Sequence, residues 1–255
     1  MERGEIALFD LVDIHCHSLF GVDDGAVDEN TMKSMLDAAY SDGIRTICFT
    51  PHFKTYEFQD DMDIQSYKDD VKRSFSVASS YVNEVHPDMK LFLGNEIMYH
   101  NEILSSLKEN KCDSLNNSSY VLVEFQPSIT AFEIESAVLR VLRAGYRPVI
   151  AHIERYGALI KKPELVKELR SMGALTQINA RAILGFKIGK IAKFIKMVLK
   201  SKLVDVVASD AHDNSIFTQQ LSKSMLFVSK HYGDAYAKKI FSTVPSAILN
   251  NENFN

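Results

Sequence analysis

Tryptophan is absent from this chain of 255 residues, and cysteine and proline are scarce, with three and six copies. Cys16, Cys48 and Cys112 are too few, and odd in number, for a disulfide framework. None of them has the arginine six positions later that a cysteine-dependent phosphatase needs; Val22, Lys54 and Ser118 stand there instead. No apolar run reaches the length of a membrane helix, and Met1 to Phe9, with Glu2, Arg3 and Glu5, does not open a signal peptide. Positive charge is not in excess: the net charge is −4, which argues against a reader of nucleic-acid backbones. There is no G-x-x-x-x-G-K-[ST] loop and no H-E-x-x-H pair. Asp23-Asp24-Gly25 fails the EF-hand pattern because Val22 takes its third position. Repeats, low-complexity tracts and Pro/Gly-rich linkers are missing too. A reduced, cytoplasmic, single-domain protein without membrane insertion is expected.

What is present is an alternation of short β-branched runs with helical periods. Strands are predicted at Leu11–Ile14, Arg45–Phe49, Leu91–Gly94, Tyr120–Phe125, Pro148–Ala151, Leu175–Asn179 and Val204–Ser209. Asp28 is placed to cap a helix carrying Met32, Met35, Leu36 and Ala39 on one face, and Gly43 ends it. Tyr67 to Val82, Phe132 to Leu142, Pro163 to Met172, Thr218 to His231 and Ala235 to Leu249 carry further helical patterns. Seven parallel β/α repeats in one domain point to an α/β barrel, whose chemistry sits at the C-terminal strand ends.

Polar residues collect at those ends. His15 and His17 follow the first strand, two apart and so facing one way. His52 follows the second strand, Glu96 the third and His152 the fifth; Glu124 ends the fourth. Asp210 and His212 follow the seventh, and Asp24 lies in the loop after the first. Five of the eight histidines thus fall at strand ends. Imidazoles with carboxylates suit Zn, Mn or Fe rather than a thiolate site. One ion takes three or four protein ligands, so these nine residues are enough for more than one. Arg155, three residues after His152, offers a planar fork for phosphate oxygens, and Lys54 a point charge.

At His15-Cys16-His17, Val22-Asp23-Asp24-Gly25, Thr50-Pro51-His52, Glu96, Glu124, His152-Ile153-Glu154-Arg155-Tyr156 and Ser209-Asp210-Ala211-His212 the sequence resembles the polymerase and histidinol phosphatase (PHP) superfamily. Within it the chain looks like the bacterial metal-dependent protein-tyrosine phosphatases of capsule and exopolysaccharide operons, the CpsB/CapC type, from about Leu11 onward. The resemblance implies a single-domain, distorted (β/α)7 TIM-like barrel spanning residues 11–255 after an extension of residues 1–10 with no assigned role. It implies two to three divalent ions, with Mn first and Fe or Zn as alternatives. The first would be held by His15, His17, Glu96 and Asp210; the second by Glu96, Glu124 and His152; the third by Asp24, His52 and His212. It implies a phosphotyrosine-bearing protein substrate, the tail of a membrane-associated tyrosine autokinase. Metal-activated hydroxide would attack phosphorus directly, with Arg155, Asp24 and His212 as catalytic residues and Arg155 and Lys54 on the phosphate. One departure stands out. The arginine expected shortly after Asp210-x-His212 is missing from Asp213-Asn214-Ser215-Ile216-Phe217.

The other chemistry-bearing residues have plainer readings. His86, His100 and His231 are surface or packing residues. Asp13 is placed for a hydrogen bond to a ligand imidazole or for a salt bridge, Glu154 for a structural or solvated role, and Asn179 for a contact with substrate or a ligand. Tyr56, Tyr99 and Tyr156 either frame a phenyl ring or pack. The competing functions are a small-molecule phosphomonoesterase such as histidinol phosphatase, a nuclease or phosphodiesterase, which the net charge disfavours, and a non-catalytic metal-bound regulator that docks on a kinase. A homo-oligomer is compatible with all of them.

Overall fold

In the computed structural model, which describes residues 9–100, 102–185, 187–213 and 220–253, the apolar runs become parallel strands and the helical periods pack outside them. The strands are β1 (Leu11–Cys16), β2 (Ile44–Phe49), β3 (His52–Phe53), β4 (Lys90–Leu93), β5 (Glu96–Met98), β6 (Tyr120–Glu124), β7 (Arg147–Ile150), β8 (Leu175–Asn179) and β9 (Val206–Ala208). They form two ladders, β1-β2-β4 and β3-β5-β6-β7-β8-β9. Pro51, which has no N–H for a ladder, separates β2 from β3. Gly94-Asn95 separates β4 from β5, where a Cβ on Gly94 would lie 3.1 Å from Leu115 Cα. Two strand positions are therefore broken, and seven remain around the barrel. The ring closes between β9 and β1: the His17 N–H donates to the Ala211 carbonyl and the Asp210 N–H to the His15 carbonyl, both at 2.8 Å. The result is the distorted (β/α)7 barrel that the sequence implies.

The helices are α1 (Glu29–Ser41), α2 (Asp61–Val85), α3 (Ile103–Lys108), α4 (Ala131–Arg143), α5 (Gly157–Lys161), α6 (Glu164–Met172), α7 (Ala180–Gly185), α8 (Gly189–Lys200), α9 (Leu221–Tyr232), α10 (Asp234–Lys238) and α11 (Val244–Leu249). Asp28 caps α1, accepting from the Thr31 N–H at 2.7 Å, a contact worth about 1 kcal/mol. Met32, Met35 and Leu36 are its buried face. The chain turns after α1 through Gly43, whose φ is +91°. The periodicity assigns no element to residues 180–203, where α7 and α8 form. Glycines at 185 and 189 interrupt the apolar period there, and α8 buries the i, i+1, i+4, i+5 set Phe194, Ile195, Val198 and Leu199. The expected start of the next helix, Thr218, and residues 1–8 of the N-terminal extension lie outside the described residues. A π-helical turn, Lys239–Thr243, joins α10 to α11.

Strand alternation sorts the core into two layers. Val12, Ile14, Cys48, Tyr120, Leu122, Val149, Leu175 and Val206 fill the barrel, closed below by Val244, Ile248 and Leu249. Leu11, Cys16, Ile47, Phe49, Val121, Val123 and Ile178 face the helices. Strict alternation from Val12 and Ile14 would send His15 and His17 outward with Leu11. A register irregularity between Asp13 and Cys16 breaks it. Cys16 joins the outer layer, and the two histidines turn to the barrel mouth.

Candidate metal centre

The broken strands also set the spacing of ligands. β3 and β5 pair with His52 opposite Glu96, and β5 pairs with β6 with Met98 opposite Glu124. Glu124 keeps the inward parity of Tyr120 and Leu122, while His152 and Asp210 leave their strands with φ of +29° and +53°. Non-glycine residues adopt such backbone sparingly, and where they do a site often explains it.

The nine residues expected as ligands are all brought to the mouth, eight of them in three overlapping groups whose ligand atoms lie within 4.8 Å of one another: His15, His17, Glu96 and Asp210; His52, Glu96 and Glu124; and His17, Asp24, His52 and His212. His152 joins through Nε2, 2.7 Å from Glu96 Oε1 and 3.4 Å from Glu124 Oε1. Glu96 stands at the centre, with Oε1 3.2 Å from His15 Nε2 and Oε2 2.9 Å from His52 Nδ1. Among the described residues, His52 Nδ1, Glu96 Oε2, Asp210 Oδ1 and Glu154 Oε2 are buried without a well-aligned hydrogen bond, the first two being close only as an ion pair. Each such atom costs about 1–3 kcal/mol. Three of the four belong to the groups just named, and divalent cations would satisfy them together, so the donor set fits metal.

Supporting contacts fix the imidazoles. His17 Nδ1 is 2.6 Å from Asp23 Oδ2, which also accepts from the His52 N–H at 3.0 Å. His15 Nδ1 is 3.2 Å from Gln177 Oε1, which accepts from the His152 N–H at 2.7 Å. His152 Nδ1 is 3.3 Å from the Tyr156 hydroxyl. Asn179 Nδ2 donates to Asp210 Oδ2 at 2.6 Å, and its Oδ1 accepts from Gln177 Nε2 at 2.8 Å. Asp13 touches no imidazole; its Oδ1 accepts from the backbone of Ser209 at 3.0 Å and of His15 at 3.3 Å, tying β1 to β9. Gly25 packs so closely that a Cβ would sit 1.7 Å from the His17 carbonyl oxygen. Asp23 and Gln177 went unmarked by sequence reasoning. Gln177 had a usable signal, since it precedes Asn179 by two on the inner face of β8.

Burial and charge compete here. Burial opposes charging of His15 and His17, yet Glu96 and Asp210 raise the first, and Asp23 and Glu96 raise the second well above the usual range. Burial lowers His152 and His212, keeping their lone pairs free. Glu96 is held well below the usual carboxylate range despite burial, chiefly by His15. Glu124 is pushed up to about 7 by burial and by Glu96.

Above the groups lies a cleft of about 410 Å³, whose lining includes Asp24, His52, Glu124, Arg155, Arg181, Asp210 and His212. Arg155 Nη2 pairs with Asp210 Oδ2. Lys54 does not line the cleft. It pairs with Glu57 at 3.3 Å, beside the turn Thr55–Glu57. Arg181 is among the residues that line the cleft. Tyr156 frames no ring: it is fully buried, packed against Phe125. Tyr99 also packs on Phe125, Tyr56 is exposed, His86 pairs with Asp37 and stacks on Tyr40, and His231 caps the Phe227 carbonyl. Asn214 to Phe217, where the expected arginine is missing, lie outside the described residues.

Comparison with known proteins agrees with this geometry. The tyrosine-protein phosphatase CpsB of Streptococcus pneumoniae is 33% identical over 244 residues, covering 94% of this chain and 98% of the relative. CpsB of Streptococcus agalactiae is 31% identical over 246 residues, covering 94% and 99%. A solved structure from work on YwqE of Bacillus subtilis and CpsB of S. pneumoniae, described as unique metal-dependent tyrosine phosphatases, superposes with a TM-score of 0.81 at 27% identity, covering 96% of each chain. Residues 11–250 match the model for the capsular polysaccharide synthesis family CpsB/CapC, and the chain belongs to that family.

Proposed function

We propose that the chain is a metal-dependent protein-tyrosine phosphatase. The observation that carries this is the set of three ligand groups joined through His17, His52 and Glu96 beneath Arg155, in a chain whose relatives are named tyrosine-protein phosphatases. Two to three divalent ions, Mn foremost and Fe or Zn as alternatives, suit the imidazole and carboxylate donors. His15, His17, Glu96 and Asp210 would hold the first; Glu96, Glu124 and His152, with His52 near, the second; Asp24, His52 and His212, with His17 near, the third. When bound, such ions activate water and neutralise phosphate charge. Arg155 orients the phosphate, its guanidinium held by Asp210. Asp24 and His212, on the solvent side, meet the leaving tyrosyl oxygen. Beside the cleft runs a groove of about 860 Å³ lined in part by Pro127, Ile160, Leu184 and Ile191, room for a phenyl ring and the peptide around it. The substrate is a phosphotyrosine-bearing protein, and the tail of a membrane-associated tyrosine kinase is the proposed one. Among the described residues no helix is long and apolar enough to cross a membrane, so the protein would meet that tail without spanning the bilayer itself.

The test is phosphate release from a phosphotyrosine peptide and from histidinol phosphate, with Mn, Zn, Fe or chelator. Metal-dependent release, faster from the peptide, is expected. Faster turnover of histidinol phosphate would overturn the substrate, and no release from either would overturn the phosphatase.

A further inference from the structure

The cleft has a second guanidinium. Gln177, Asn179 and Arg181 follow one another at intervals of two along β8 and into α7. The first supports His15, the second holds Asp210, and the third reaches the rim of the mouth. Arg181 lines both the cleft and the adjoining groove, as Arg155 does. The two arginines differ in their commitments. Arg155 is tied to Asp210, whereas Arg181 is exposed and has no hydrogen-bond or ion-pair partner among the described residues. Lys54, the other nearby cation, is paired with Glu57. Residues 182–255 contain no arginine.

The cleft is lined by four carboxylates, Asp24, Glu124, Asp210 and Asp213. A phosphate dianion entering it needs a cation on the outer oxygens that face away from the ligand groups. A free planar fork meets two such oxygens at once. We infer that Arg181 is the second phosphate-gripping residue of this site, acting from the C-terminal end of β8. This rests on the phosphatase reading above.

The experiment uses the full chain loaded with Mn, as wild type, Arg181→Met and Arg181→Lys. It measures KM and kcat on a phosphotyrosine peptide, the Kd of inorganic phosphate by calorimetry, and bound metal. Arg181→Met should raise both KM and the phosphate Kd about tenfold or more, with a smaller fall in kcat and unchanged metal content. Arg181→Lys should recover part of the loss. An active wild type with both constants within about twofold in Arg181→Met overturns the clamp and leaves the phosphatase standing. An inactive wild type whose phosphate binding is still weakened by Arg181→Met overturns the phosphatase and keeps the anion clamp. If the methionine variant loses metal, the lysine variant decides: weaker phosphate binding supports the role, and wild-type binding overturns it.

Discussion

The strands of this barrel serve two regions of opposite character. At the floor, Val12, Tyr120, Leu175 and Val206 pack against Ile248 and Leu249. The polar group there is answered from within the chain: the Tyr120 hydroxyl accepts from Arg147 at 2.6 Å and donates to the Glu252 carbonyl at 2.8 Å. At the mouth, His15, His17, Glu96, His152 and Asp210 are equally buried, yet Glu96 Oε2 and Asp210 Oδ1 make no well-aligned hydrogen bond. The floor is complete as folded, and burial of its side chains stabilises the domain. The mouth gathers carboxylates and imidazoles whose desolvation the chain alone offsets only in part. Stability and function thus separate along each strand, over a few residues.

The sharpest way to break this contrast is Glu96→Gln. It removes a carboxylate shared by two of the ligand groups, and activity should fall about 10³-fold or more, the scale of several kcal/mol in transition-state stabilisation. Bound metal should fall with it, and the metal-free variant should melt lower, because the carboxylate paired with His15, His52 and His152 is gone. Metal analysis beside thermal melts checks both. At the floor, Ile248→Ala should cost stability and leave the metal alone. Denaturant unfolding should show a loss of about 2–5 kcal/mol, with metal stoichiometry retained.

A smaller effect follows from pH. In the metal-free protein Glu124 is raised from 4.5 to about 7, so the stability from its neutral form is lost as pH rises across that window. His15 and His17 are raised above 6.5, so the stability from their charged forms is lost as pH rises through their folded values. His152 and His212, lowered by burial, work the other way as pH rises through 6.5, while Glu154, raised to about 7, adds to the loss. Chelator-treated protein should therefore melt lower at about pH 8 than at about pH 5.5, by less than Glu124, His15 and His17 alone would give. Metal takes these groups deprotonated, so Mn should stabilise more as pH rises over the same range. Parallel melting shifts with and without Mn would erase the distinction between mouth and floor.

Much of this was legible in the sequence because strand ends and histidine placement are local signals. The seven strand positions, the Asp28 cap and all nine mouth residues follow from period and position. What escaped depends on backbone departures from ideal strands. The irregularity at Asp13–Cys16 and the left-handed backbone of His152 and Asp210 decide which way side chains point, and no residue spacing encodes them. Asp23 was overshadowed by Asp24 beside it, since in a loop neither period nor parity says which carboxylate supports a ligand. Arg181, which lines the cleft, escaped for a similar reason: it stands on α7, a short helix hidden by the glycines at 185 and 189.

The most direct test is to strip the wild-type protein with chelator, return Mn in measured equivalents, and follow bound metal and phosphate release from a phosphotyrosine peptide together. The account predicts no release from stripped protein and a rate that climbs as successive ions fill the mouth. A full rate with no bound metal would contradict it.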